Sequence, residues 1–321
     1  MKRYILKRLI LLIPIMLGVT LIVFCIRAIT PGSPVDHLLG DDATAEQREE
    51  LEAELGLDDP LPIQFVNYVK DVVRGDLGES YTTGEPVMEE ILSRFPITVA
   101  VCFSAVFLGT LLGVPLGIFS ATRPYTWIDS TVLVVSIVIR SIPAFCLAFF
   151  LISIFSVELH LLPSFGVSTP SSFVLPVAVI GLTSMCNYTR ITRSSMLEII
   201  RQDYIRTARA KGQSEHKIIY SHALRNAAIP IVNSVGNQIG HQLGGALILE
   251  TVFGIPGVGK YIGDAISTRN FPAVQGGVLF LAFIFTVVNL LTDLSFTAVN
   301  PRLKSSLIVS KGRRKKQAAV E

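Results

Sequence analysis

Six stretches of this chain read as membrane crossings: about 9 to 29, 97 to 121, 131 to 157, 173 to 190, 227 to 249 and 276 to 298. A bilayer core is about 30 Å thick, and roughly 20 apolar residues in a helix cross it. Backbone groups in hydrocarbon must be bonded within the structure, so a chain with several such stretches folds as packed helices. Composition agrees, since half of the 321 residues are hydrophobic and 17% are charged, against about 25% charged in a soluble domain. The predicted class is an all-α membrane protein with six spans, the fourth the shortest and the fifth the most polar. The first stretch follows Lys2, Arg3, Lys7 and Arg8 as a secretory signal would. Its apolar run is too long for one and no convincing small-residue cleavage site follows, so it is expected to be a retained helix.

Orientation comes from Lys and Arg. With the N-terminus inside, the cytoplasmic side carries 20 of them and the opposite side 6, while Arg27 and Arg140 fall within spans. Both termini are therefore expected in the cytoplasm. The net charge of +3 averages this basic side with an acidic outer segment and implies no nucleic acid partner. The Lys311 to Lys316 cluster is expected to meet anionic membrane lipids. Cys25, Cys102, Cys146 and Cys186 all fall in spans without paired spacing, and are read as small apolar packing residues.

The 67 residues from Thr30 to Pro96 hold 16 of the 25 acidic residues and are patterned as a folded outer cap. Thr44 and Gln47 form a capping box before a helix carrying Leu51 and Leu55, with Gly56 placed to stop it. Pro62 opens a second helix, with Phe65, Val66, Val69, Val72 and Val73 at helical spacing and Gly75 at its end.

The segment Asp203 to Gly212, followed by His222-Ala223-Leu224-Arg225, lies between two spans on the basic side. It offers a helix with a small residue at Ala208, a break at Gly212 and a possible N-cap at Ser214. Together with Leu55 to Pro62, Arg74 to Ser80, Glu250 to Gly259, Val288 to Asp293 and Asn300-Pro301-Arg302, this segment resembles the first permease subunit of bacterial dipeptide, oligopeptide and nickel ABC importers. That resemblance implies a type I importer permease with an outer cap between spans 1 and 2. It makes 191–225 the coupling loop that grips an ATPase, with Asp203, Arg206, Thr207, Ala208, Gly212, Ser214 and Glu215 as its contact residues. The general importer loop starts with an acidic residue where this chain has Arg206; of the rest, only Ala208, Gly212 and Leu224 match outright. The charge that meets the ATPase must then come from elsewhere, with Asp203 and Glu215 as candidates.

Gly254-Ile255-Pro256-Gly257-Val258-Gly259-Lys260 has the glycine spacing of a phosphate-binding loop, but Tyr261 stands where Ser or Thr would hold magnesium and no strand leads in. These glycines are expected to shape a tight outer hairpin.

In the fifth stretch Asn233, Asn237 and His241 repeat every four residues, with Gly236, Gly240 and Gly244 on a neighbouring ridge. Such a face is either a helix seam or a wall of a polar path. Gln238 and Gln242 widen it beyond what packing needs, which favours the path. Arg140 is a further path candidate. A lone arginine at a span centre costs about 3 kcal/mol even on lenient scales, so it should find a carboxylate, a carbonyl or water, and Pro143 three residues on frees a backbone carbonyl it could use.

The expected organisation is an N-terminal helix over 1–29, the outer cap over 30–96, a permease core over 97–302 and a basic tail over 303–321. The resemblance implies as partners a second homologous permease, two cytosolic ABC ATPases and an extracytoplasmic substrate-binding protein. It implies no cofactor bound by this chain, with ATP and magnesium used by the ATPases. No nucleophile with a base and no metal-ligand set is placed, so catalysis is not expected. Short peptides are the expected cargo, because a nickel site would want clustered His, Cys or carboxylates and only His241 sits at membrane depth. A nickel or metallophore importer is the alternative within the family, and a passive channel or scaffold the alternative outside it.

Overall fold

The computed structural model describes residues 2–30, 35, 39, 44–54 and 59–299. Gly56, Leu55 and the Lys311 to Lys316 cluster lie outside the described residues. Those described are mainly helical, with no β-strand and a single isolated bridge between Glu79 and Pro86. In chain order the helices are α1 (Lys2–Ile29), α2 (Ala45–Glu54), α3 (Leu61–Arg74), α4 (Val87–Thr122), α5 (Trp127–Ser141) and α6 (Ala144–Ile152). They continue with α7 (Val174–Ile200), α8 (Asp203–Ala210), α9 (Leu224–Gly245), α10 (Leu247–Phe253), α11 (Val258–Ser267) and α12 (Phe271–Val299).

Among the described residues four segments are long and apolar enough to cross a membrane: Ile10–Ile29, Val87–Thr122, Pro170–Ile200 and Phe271–Leu294. The expected third span is a broken one. Ile142 leaves the helical region and Pro143 follows, so α5 and the run Ala144–Glu158 meet at 95°. Proline lacks the N–H that would continue the ladder and pushes its predecessor out of the helix. Helix α9 is 22 residues long, but its amides and glycines keep it out of the set that qualifies by length and hydropathy.

The chain divides into two compact units. One lies within residues 1–102 with 148–176 and 241–286; the other comprises 103–147, 177–240 and residues from 287 on. The first unit closes on the start of α4, α11 and the start of α12. Val87, Ile91, Val258, Ile262 and Ala273 are buried there beside Leu77. Its outer helices are fixed by their ends. The Thr44–Gln47 box closes reciprocally, with Gln47 Oε1 accepting from the Thr44 amide at 3.0 Å and Thr44 Oγ1 accepting from the Gln47 amide at 3.3 Å. Gly75 ends α3 at φ +87, bonding to Val72 O as Asp76 N bonds to Asp71 O. Phe65 of α3 meets Phe24 of α1 edge to face at 5.4 Å.

The second unit is held by a seam that the sequence reading passed over. Gly109, Gly113 and Gly117 repeat every four residues along α4, and α7 lies against them. A methyl group on Gly113 would stand 2.6 Å from Met185 O, and one on Gly117 2.6 Å from Thr189 O. The close approach lets Thr189 Oγ1 donate to Gly113 O at 3.2 Å. Small residues at this spacing allow dispersion contacts between backbones where hydrocarbon offers no hydrophobic drive. Asp129, at the start of α5, is a second fastening. It is 2% exposed and accepts from Ser120 Oγ, from the Tyr125 amide and, through both oxygens, from Arg193 of α7. A buried carboxylate held this way is fully paired, and removing one partner of such a pair costs about 3 to 5 kcal/mol.

Candidate functional site

The loop after α7 is a docked helix with one exposed side. On α8, Ile205 is fully buried and Ala208 half-buried, against a cluster that includes Ile118, Met196, Ile218 and Ala223. Asp203, Arg206 and Thr207 are exposed. Two side-chain bonds tie the loop back: Asn226 Nδ2 donates to Tyr204 Oη at 3.2 Å, and His222 Nε2 lies 2.7 Å from Gln213 Oε1. The return to α9 passes through a π-helical turn, Ile218–Ala223, a distortion that recurs at functional sites.

Gly212 follows α8 at φ +73, and the space where a side chain would begin is empty to 4 Å. Its requirement is therefore conformational, a left-handed residue, and not a close approach within the chain. Ser214 stands at the N-cap position of the next turn, but the expected side-chain cap is not made; only its main-chain oxygen enters the turn, accepting from Ile218 N at 3.0 Å. Glu215 is engaged within the loop. Arg209 donates to both of its oxygens at 2.7 and 3.1 Å, and the guanidinium holds the carboxyl below its usual range. Asp203 meets Arg206 only at 3.8 Å with both side chains largely exposed, a contact worth little. Both acidic candidates are exposed, and Asp203 is the one whose carboxylate is not gripped by a close ion pair.

Helix α9 separates its two ridges. Gly236 and Gly240 are buried, and a methyl group on Gly236 would stand 2.1 Å from Thr292 Cγ2 of α12. Gly244 departs from the expected ridge: it is exposed, with open space around it. Asn233 and Asn237 are exposed and share a hydrogen bond of 3.3 Å. His241 continues the exposed row, while Gln238 and Gln242 are half-buried at its side. The Asn233–Asn237 pair is therefore not buried by packing within its unit, where Gly236 makes the close contact.

Arg140 does not use the carbonyl at the Pro143 break. Its Nη1 donates to Asn187 Oδ1 of α7 at 2.7 Å, and Asn187 Nδ2 donates to Ser234 Oγ of α9 at 3.1 Å. This relay ties α5, α7 and α9 of the second unit through neutral acceptors, and Arg140 itself remains exposed.

The glycine-rich run after α10 encloses a buried carboxyl. Glu250 is 1% exposed; Thr98 Oγ1 donates to one carboxylate oxygen at 2.7 Å and the Lys260 amide to the other at 2.9 Å. Thr98 Oγ1 in turn accepts from the Val258 amide at 3.0 Å. A methyl group on Gly257 would lie 2.1 Å from that carboxylate and one on Gly259 2.6 Å from Leu247 N. The expected outer hairpin is instead a helix–turn–helix wrapped around a buried carboxyl, which burial holds above its usual range although the donors pull it down. The turn's resemblance to a phosphate loop has a physical basis, since backbone N–H groups converge on an internal carboxylate. Neither this clamp nor the Asp129–Arg193 pair was singled out from sequence.

Residues 113–305 match the family described as binding-protein-dependent transport system inner membrane component, and residues 1–102 match its N-terminal companion. The chain belongs to this family. Among curated relatives it is 38% identical to the dipeptide transport system permease protein DppB of Alkalihalophilus pseudofirmus, over 95% of this chain and all of that one. It is likewise 38% identical to the glutathione transport system permease protein GsiC of Salmonella typhi, over 95% of this chain and 99% of that one. Among solved structures it is similar to a chain of the methionine ABC transporter MetNI in an inward-facing conformation, with TM-score 0.55 and 23% identity, over 67% of this chain and 99% of that one. The fold is therefore that of the type I ABC importer permeases, and family members are multi-pass membrane components.

Proposed function

We propose that this chain forms half of the translocation path of an ATP-driven importer of short peptides. The observation that carries the proposal is the exposed Asn233–Asn237 row on α9, beside the face on which Gly236 packs closely against Thr292 of α12. Amides present donors and acceptors together, which suits a peptide backbone with the same two groups, and polar side chains at membrane depth are costly unless they meet water or a ligand. The relatives named for dipeptide and glutathione transport support this cargo class.

The other half of the path is a second homologous permease. Two cytosolic ATPases bind and hydrolyse ATP with magnesium, and this chain binds no cofactor and performs no hydrolysis. An extracytoplasmic binding protein delivers the peptide to the outer cap. The exposed side of α8, with Asp203, Arg206 and Thr207, meets the ATPase, and the Gly212 turn passes its movement to α9. Both termini and the 191–225 loop lie in the cytoplasm, as the Lys and Arg distribution requires.

Reconstitution of the purified importer with its binding protein in vesicles tests this reading. ATP-dependent accumulation of a labelled dipeptide against a gradient is expected. Equilibration without ATP, or ATP-driven uptake of free nickel but of no peptide, would overturn it.

A further inference from the structure

A groove of about 1000 Å³ opens on the second unit between the last turns of α4, the end of α7 and the 209–220 part of the loop. One wall is apolar: Leu111, Leu112, Leu116 and Phe119 of α4 line it and are each 36 to 57% exposed. Arg123, Arg201 and Arg209 line the same groove, Arg123 directly beyond the end of α4. Its lining has one carboxylate, Glu215, already gripped by Arg209. Arg123 lies over the Phe119 ring at 4.1 Å, and Arg201 donates to Tyr125 Oη at 3.0 Å. Among the described residues neither enters an ion pair.

We propose that this groove binds one anionic phospholipid of the cytoplasmic leaflet. Its phosphate sits between Arg123 and Arg201, and an acyl chain lies along Leu111, Leu112 and Leu116. Guanidinium forks suit phosphate oxygens, and basic pockets at the cytoplasmic ends of membrane helices suit anionic headgroups. The dimensions agree: Leu111 to Phe119 is about 12 Å along a helix, most of the depth of one leaflet's hydrocarbon, about 15 Å. A segment of a water-soluble partner is the other conceivable occupant, but it would have to enter hydrocarbon to cover leucines two to three turns above the end of α4. The leaflet follows from the orientation proposed above.

The test uses the assembled importer, extracted into nanodiscs of mixed phosphatidylglycerol and phosphatidylcholine and weighed intact. The wild type is expected to retain phosphatidylglycerol in preference to phosphatidylcholine on stepwise delipidation. Arg123→Gln with Arg201→Gln should reduce that retention by about fivefold per arginine, and Arg123→Lys with Arg201→Lys should restore most of it. Leu112→Trp, which fills the apolar wall and leaves the arginines in place, should also displace the lipid. A photoreactive side chain at Leu116 should capture lipid. Equal retention of the two lipids, unchanged retention in both the glutamine and tryptophan variants, or capture of an ATPase subunit at Leu116 would overturn the proposal.

Discussion

At Gly212 the chain needs one residue in the left-handed region, and for a non-glycine residue that conformation costs about 1 to 2 kcal/mol. The strain falls on a turn at the surface of the second unit, so membrane insertion, which the apolar spans decide, should be untouched. Gly212→Val is expected to insert normally yet to lose ATPase on pull-down, or to hydrolyse ATP without matching uptake. Gly212→Asn is the discriminating control, because asparagine enters that region at low cost. If the glycine serves as a turn, the asparagine variant should transport nearly normally. If both variants bind ATPase and transport as wild type does, the loop is a plain basic connector. Asn237 poses a separate question on α9. Asn237→Leu should leave assembly intact and change the rate or range of peptide uptake, measured with a panel of labelled dipeptides. Loss of assembly with no change in substrate range would make the row a seam with the partner permease.

The helix ends and turns follow two regimes of legibility. Capping at Thr44 and Gln47, the proline start and glycine end of α3, and the small-then-glycine pattern of the 203–212 segment were readable because their partners lie within a few residues. The Glu250 clamp was not, because its donor Thr98 is 152 residues away; Arg193 likewise reaches Asp129 across 64. Local spacing carries no record of such pairs. The Gly109-Gly113-Gly117 ridge did have a signal, small residues every fourth position, and it was overlooked beside the polar stripe of α9. It gives an element-scale prediction. Gly113→Leu drives a branched side chain into Met185 O, with no room for repacking, and should cost more than the 1 to 3 kcal/mol typical of overpacking. The complex is expected to be lost from detergent extracts on size exclusion. The clamp gives another. Glu250→Ala leaves the Lys260 amide and the Thr98 hydroxyl without their acceptor, at about 1 to 3 kcal/mol each. Gly257→Ala disturbs the same contact from the other side, so the double variant should destabilise less than the sum of the two. Full additivity in thermal melts would show that the two act separately.

For the whole molecule, the sequence predicts six crossings by apolar length, whereas among the described residues four segments qualify by helix length and hydropathy, with a fifth if the bent pair at Pro143 counts as one. The difference comes from the two expected spans with most polar or broken character, the pair α5 and α6, and α9. An amphipathic helix such as α9 crosses only if its amide row faces protein or water, so topology and the path reading stand together. The charge distribution, 20 Lys and Arg on one side and 6 on the other, fixes the expected orientation through the positive-inside rule. A single cysteine at Ser214, placed in a background with the four native cysteines replaced, should react with a membrane-impermeant maleimide only in inside-out vesicles. One at Ala53, exposed on α2, should react only in intact cells whose outer barrier has been opened. An even number of crossings between the two positions would label both from the same side. That result would mean that one of the three expected spans between them fails to cross, the bent pair at Pro143 being the weakest of the three. Labelling from opposite sides, with Ser214 inside, keeps α8 on the ATPase side and the acidic cap on the side where peptide arrives.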